Sequence, residues 1–187
     1  MSFGLSPGLL VAAPSLRCPF FNHTLVLLVD HGEEGSFGFV LNKPAEVQLA
    51  SVLSELDLAA DLAPEVPVML GGPVSPQTGW VVFERASLDA ELSEILDVDA
   101  GVSLTASVKM LEAFAAGQGP GRALLLLGYA GWGPGQLEDE MRDGSWFPMD
   151  VDPRLLFDVA PEERWDAALA QLGIEPGWVM GTSAPSA

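Results

Sequence analysis

Residues 122–140 read RALLLLGYAGWGPGQLEDE, and this stretch decides the kind of fold to expect. Residues 122–129 are apolar at nearly every position, without the alternation of a strand that has one wet face. A strand that is apolar on both sides is typical of the centre of a covered sheet. We therefore predict a central, buried strand over residues 122–129, followed by a glycine-rich turn and a helix.

The glycine-rich turn has the layout of a phosphate-binding loop, because Gly131, Gly133 and Gly135 lie between strand and helix. Their spacing matches neither the mononucleotide nor the dinucleotide motif, and no lysine follows them. Glu138 and Glu140 fall in the first two turns of the helix, where they would repel a phosphate. Phosphate binding at this turn is therefore disfavoured.

A sharp corner is the alternative for the same segment, and it would bring Trp132, Gln136 and Glu138 together. Gln136 is placed to cap the helix, and Glu138 to pair with Arg142 four residues later. The aromatic side chains of Tyr129 and Trp132 are either core residues or one wall of a binding site.

Outward from this corner, short apolar runs separated by glycine and proline predict further strands, and residues 24–30 and 36–41 predict a β-hairpin. The strand order is not a regular βαβ alternation. We predict an α+β fold, a single domain over residues 1–175 with a mixed, largely antiparallel sheet and a few flanking helices, and a flexible tail over 176–187. The other predicted strands are 9–13, 66–70, 79–83, 102–105 and 155–157, and the other predicted helices are 48–58, 107–117 and 161–172.

The charge balance excludes some function classes. There are 26 acidic residues against 8 basic ones, a net charge of −18. Nucleic acids and anionic lipids are bound by clustered lysine and arginine, so we expect neither a nucleic-acid nor a membrane partner. The lone Cys18 fits a reducing compartment, and no secretion signal is recognisable, so we expect a cytoplasmic protein.

Two further segments are candidates for binding. Asn42 and Lys43 follow a strand, and Lys43 is one of two lysines in an acidic chain, placed to meet a carboxylate or an anionic ligand. Gly71 and Gly72 form either an anion-binding nest or a tight corner. His31 is near two glutamates, but without the spacing of a known metal site. We predict no metal, no cofactor and no catalytic residues from motifs.

Four motifs together resemble the AlgH/YqgE family of bacterial proteins. They are residues 38–44 (GFVLNKP), 71–74 (GGPV), 128–132 (GYAGW) and 135–140 (GQLEDE), and the resemblance extends over about residues 8–173. It implies a single α+β domain, generally treated as cytosolic. The family's name comes from a proposed role in regulating alginate synthesis, and its members are often labelled transcriptional regulators, but the resemblance implies no agreed ligand or reaction.

Three functions are compatible with this sequence. The first is a non-catalytic accessory or regulatory protein whose partner is a protein or a small molecule, with binding residues Asn42, Lys43, Gly71, Gly72, Tyr129, Gly131, Trp132, Gln136 and Glu138 converging on one surface. The second is an enzyme of unrecognised class that uses Lys43, Glu138 and Glu140 as acid–base groups. The third is direct regulation of transcription, which the net charge of −18 disfavours.

Overall fold

The computed structural model describes residues 4–88 and 91–175, and within these residues nine strands belong to one sheet. The predicted tail over 176–187 lies outside the described residues. The strands are β1 (Gly8–Ala12), β2 (Leu25–Gly32), β3 (Gly35–Val40), β4 (Val68–Leu70), β5 (Val74–Glu84), β6 (Leu96–Asp99), β7 (Val102–Thr105), β8 (Ala123–Trp132) and β9 (Trp146–Met149).

Short helices cover this sheet. They are α1 (Leu49–Glu55), α2 (Val108–Ala115), α3 (Gln136–Arg142), α4 (Pro153–Phe157) and α5 (Arg164–Gln171), with 3₁₀ turns at Arg85–Ser87 and Pro161–Glu163. No helix in the described part of the chain is both long enough and apolar enough to cross a membrane.

The sheet has the order β6-β7-β5-β8-β3-β2-β1-β9, and β4 pairs in parallel with β8. The other pairings are antiparallel, which confirms the predicted α+β fold with a mixed, largely antiparallel sheet. Strand β8 is its centre: β5 lies along one side, and β4 and then β3 lie along the other. The run of apolar residues in β8 follows from this position, because both of its faces are covered.

Each face of the sheet has its own core. Helices α4 and α5 pack on one face, against Leu27, Phe39 and Leu126. On the opposite face, α1 and α2 cover one half of the sheet. Its other half is covered by α3 and by the segment between β1 and β2 that carries Phe20 and Phe21.

The short apolar run at residues 155–157 is a helix, so the predicted strand there is wrong. The side chain of Asp152 accepts a hydrogen bond from the backbone N–H of Arg154, and Pro153 occupies the first turn of α4. Both features favour the start of a helix. A three-residue apolar run cannot by itself distinguish a strand from a buried helix.

Two strands were not predicted, and β5 and β8 extend well beyond their predicted ranges, β8 as far as Trp132. Strands β6 and β9 form the open edges of the sheet. Half of β6 is aspartate, and β9 contains a proline, so neither resembles an apolar strand. Strand β5 begins at Val74 rather than at residue 79, because it continues past a register shift toward Tyr129 of β8.

Candidate functional site

The predicted corner after β8 is held by the carboxylate of Glu140. Its Oε2 accepts hydrogen bonds from the indole N–H groups of Trp132, at 3.0 Å, and of Trp146, at 2.8 Å. Its Oε1 accepts one from Gln136 Nε2 at 2.9 Å. Gln136 reaches back as predicted, because its Oε1 accepts from the backbone N–H of Gly133 at 3.0 Å, but the N-cap of α3 is Gly135, which has no side-chain cap hydrogen bond. We call Glu140 with these partners the Glu140 latch.

Glu138 points elsewhere, toward the β2–β3 hairpin. Its Oε1 lies 3.4 Å from Nε2 of His31, whose Nδ1 lies 2.7 Å from Ser36 Oγ. The predicted pair of Glu138 with Arg142 is wrong, because Arg142 instead contacts Asp139 at 2.6 Å on the exposed side of α3. Sequence reasoning did not single out Ser36, since only the hairpin register places it opposite His31.

Lys43 lies against an aromatic ring rather than a carboxylate. Its Nζ is 4.0 Å from the centre of the Phe20 ring, a cation–π contact. Partial burial lowers the pKa of the Lys43 ammonium, and the nearby Cys18 thiol acts in the opposite direction. No carboxylate lies within 4.0 Å of Lys43 in the described residues.

Asn42 ties the end of β3 to the start of β2. Its Oδ1 accepts a hydrogen bond from the backbone N–H of Leu25 at 2.9 Å, and its Nδ2 donates to the carbonyl of His23 at 2.8 Å. The amide therefore uses both of its ends in holding the sheet together.

Gly71 and Gly72 pass directly against the backbone of β8. The N–H of Gly71 donates to the carbonyl of Leu127 at 2.8 Å. A Cβ at Gly71 would overlap the carbonyl of Gly128, and one at Gly72 would overlap the peptide group of Tyr129. The geometry is that of a tight corner where two backbones touch.

Tyr129 and Trp132 are on opposite faces of the sheet. The Tyr129 ring packs beside Phe37, with ring centres 5.1 Å apart, on the face that α4 and α5 cover. Trp132 belongs to the core under α3, and Gly131 between them is exposed. The structure thus brings Trp132 and Gln136 together at the latch but does not bring all the predicted binding residues to one cleft. Binding roles for them stay predictions.

A cleft of about 670 Å³ lies away from these residues, beside α1. Pro44 and the start of α1 line one side, and the segment from Ala60 to Met69 lines the other. The lining is mostly proline, alanine and valine, and its polar side chains are those of Gln48 and Glu65. Sequence reasoning missed it, because its walls come from two separate segments without chemically distinctive residues.

No group of three or more histidine, cysteine, aspartate or glutamate side chains is arranged to hold a metal ion in the part of the chain that the structure describes. His31 lies between Ser36, to which it is hydrogen-bonded, and Glu138, whose carboxylate is 3.4 Å from Nε2.

Known proteins share both the sequence and the fold. A family model described as AlgH-like matches residues 9–177. A UPF0301 protein of Burkholderia cenocepacia is 41% identical over 179 residues, which is 95% of this chain and 93% of the relative. A UPF0301 protein of Burkholderia vietnamiensis is 40% identical over the same length.

Two solved structures have the same fold. The solution structure of AlgH from Pseudomonas aeruginosa superposes with a TM-score of 0.77 at 35% identity, covering 98% of this chain and 96% of that protein. A crystal structure of a Corynebacterium diphtheriae protein gives a TM-score of 0.73 at 24% identity, covering 93% of this chain and 91% of that one. The family resemblance predicted from the sequence motifs is confirmed: the chain belongs to the AlgH-like family of UPF0301 proteins.

Proposed function

We propose that this chain is a non-catalytic, cytoplasmic binding protein whose ligand is an apolar small molecule held in the cleft beside α1. The cleft itself is the observation that carries the proposal. Its volume of about 670 Å³ is that of a typical small-molecule site. Its alanine, valine and proline walls favour an apolar ligand body, and Gln48 and Glu65 offer polar contacts that would orient it.

The positions of the three candidate acid–base groups support a binding role over a catalytic one. Glu140 already accepts hydrogen bonds on both carboxylate oxygens, and Glu138 faces His31. Lys43 lies on the Phe20 ring. None of the three lines the cleft, and no ion pair joins Lys43 to either glutamate within the described residues.

A regulatory role would act through the bound molecule or through a protein partner rather than through DNA. The net charge of −18, from 26 acidic residues against 8 basic ones, opposes binding to the phosphates of DNA. A regulator of this kind would change its partner contacts when the cleft fills. A filter-binding titration at low salt that retained duplex DNA would contradict this proposal.

A cleft-blocking variant tests the binding site. Ala50 is an exposed alanine of α1 that lines the cleft, and Ala170 is an exposed alanine of α5 that does not. Nile red, a neutral apolar dye, is the probe, and its fluorescence rise is titrated against wild type, Ala50→Trp and Ala170→Trp. We expect saturable binding to wild type and Ala170→Trp and a loss of about tenfold or more in affinity for Ala50→Trp. Equal binding by all three proteins, or none by wild type, would refute the cleft as the site.

A further inference from the structure

A second cavity, of about 120 Å³, lies behind the Pro64–Pro67 segment and has two arginines in its wall. Arg122 immediately precedes β8, and Arg164 is the first residue of α5. The described residues contain few basic side chains in a chain of net charge −18, so two guanidinium groups around one small cavity need a physical reason.

Arg164 is buried without a carboxylate partner. Its residue is 2% exposed, its Nε donates to the carbonyl of Val159 at 3.0 Å, and one terminal nitrogen donates to the carbonyl of Leu41. No carboxylate oxygen lies within 4.0 Å in the part of the chain that the structure describes. Burial lowers the pKa of Arg164 to about 10, with the charge of Glu162 acting in the opposite direction. Carbonyl oxygens offset only part of the cost of burying a charge.

Arg122 also has a buried N–H group, at Nε, without a hydrogen-bond acceptor. A terminal nitrogen contacts Asp158 at 2.7 Å, and the guanidinium lies over the Phe157 ring at 5.5 Å. Its Nε is buried and has no hydrogen-bond partner, although it forms an ion pair with Glu84, whose Oε2 is 3.6 Å away. A buried N–H of a charged group without an acceptor is costly, so this nitrogen indicates a missing partner.

We propose that this cavity is a binding site for a small oxyanion, a phosphate or carboxylate group held by Arg122 and Arg164. An oxyanion accepts several hydrogen bonds at once, and guanidinium groups are the side chains best shaped to donate them. A volume of about 120 Å³ admits an inorganic oxyanion or the anionic end of a metabolite and excludes a nucleotide. The cavity shares the segment 64–67 with the apolar cleft, but neither arginine lines that cleft, so the anion site does not depend on the function proposed for the cleft.

Glu65 is in the cavity wall, and Asp158 and Glu84 contact Arg122, so these carboxylates compete with an anion. Glu65 is exposed and forms no ion pair with Arg122 or Arg164 in the structure. If the site binds an anion, removing the Glu65 charge should strengthen binding. If Glu65 were instead the natural counter-ion of Arg164, the same change would weaken the fold and leave anion binding absent.

Calorimetric titration with inorganic phosphate, and separately with acetate, tests the site at constant ionic strength set with sodium chloride. We expect saturable binding to wild type, binding about tenfold or more weaker to Arg122→Gln, and tighter binding to Glu65→Gln. Stronger binding of phosphate than of acetate would identify a phosphate site, and the reverse a carboxylate site. Arg154→Gln, at an exposed arginine outside the cavity, should bind as wild type does.

Arg122→Gln is the main variant because its side chain is partly exposed and its loss leaves the Arg164 contacts in place. Binding that is equal in wild type, Arg122→Gln and Arg154→Gln would overturn the proposal, as would heat that appears with chloride alone. So would a Glu65→Gln protein that is less stable and binds neither anion. Nile red binding is not expected to change in Arg122→Gln, so failure of this site and failure of the cleft proposal give different results.

Discussion

Replacing Glu140 by alanine should leave two buried indole N–H groups without a hydrogen-bond acceptor. Trp132 is 5% exposed and Trp146 is 3% exposed, so water has little access to either nitrogen. A buried donor that loses its acceptor costs about 1–3 kcal/mol. The Gln136 contact is on the exposed side and adds little. We therefore expect Glu140→Ala to lower the free energy of unfolding by about 2–4 kcal/mol.

The matched variant Glu140→Gln keeps one side-chain oxygen as acceptor for the two indole N–H groups, but it replaces the other oxygen, Oε1, by an amide NH₂ group. Its new amide nitrogen would face Gln136 Nε2, which now donates to Glu140 Oε1 at 2.9 Å. Gln136 cannot turn its amide around without losing the bond from Gly133 to its own Oε1. A cost of about 1 kcal/mol, between wild type and Glu140→Ala, is expected.

Urea unfolding followed by tryptophan fluorescence measures these differences, with Asp139→Ala as the control on the same helix. Among the described residues, the exposed Arg142 is the one polar partner of the Asp139 side chain, so loss of the Asp139 carboxylate should cost less than about 1 kcal/mol. A double-mutant cycle of Glu140→Ala with Trp146→Phe should give a coupling of about 1 kcal/mol or more. If Glu140→Ala costs no more than Asp139→Ala, the carboxylate does not hold the corner and the reasoning is wrong.

Three further contacts, at Gly72, Asn42 and Asp152, give predictions for the free energy of unfolding, one of them dependent on pH. Gly72→Ala should cost about 4 kcal/mol or more in a denaturation experiment, because its Cβ would overlap the backbone of β8, whereas Gly121→Ala, which faces open space, should cost less than about 1 kcal/mol. Asn42→Ala should cost about 1–3 kcal/mol, because a buried backbone N–H of β2 loses its acceptor; wild-type stability in this variant would contradict the contact. Hydrogen bonding from Arg154 lowers the pKa of Asp152, so its stabilisation is present above the ordinary value of 3.8 and is lost as the pH falls through the lowered folded-state value. The stability gap between wild type and Asp152→Asn should therefore be larger at neutral pH than in strong acid, and a gap that does not change with pH would exclude this linkage.

The central strands of the sheet could be predicted from the sequence because each is a recognisable run of apolar residues. Strand β8 and the β2–β3 hairpin are apolar runs whose burial follows from composition, whatever their partners. Strands β6 and β9 carry no such signal, because edge strands are short and partly polar. The helix at residues 153–157 could have been predicted, because Asp152 and Pro153 are ordinary helix-start residues. The strand prediction instead followed the short apolar run.

The cavities could not be predicted from the sequence, for a different reason. Arg164 follows two glutamates at the start of a helix, a pattern that indicates an exposed, charged turn. Its burial depends on the carbonyl of Leu41, which lies 123 residues earlier in the chain. The Glu140 latch is an intermediate case: the backward reach of Gln136 was predicted, but which glutamate reaches the tryptophans depends on how α3 packs.

The two edge strands affect what kind of aggregate the protein forms at high concentration. Strand β6 carries Asp97 and Asp99, and the four-residue β9 contains Pro148, which has no N–H to offer a neighbouring strand. Near the sequence isoelectric point of about 4.1 the mutual repulsion between molecules disappears, and precipitation is expected. Because neither edge is a good template for adding strands, the precipitate should be amorphous, should redissolve when the pH is raised, and should not bind thioflavin T as a fibril does.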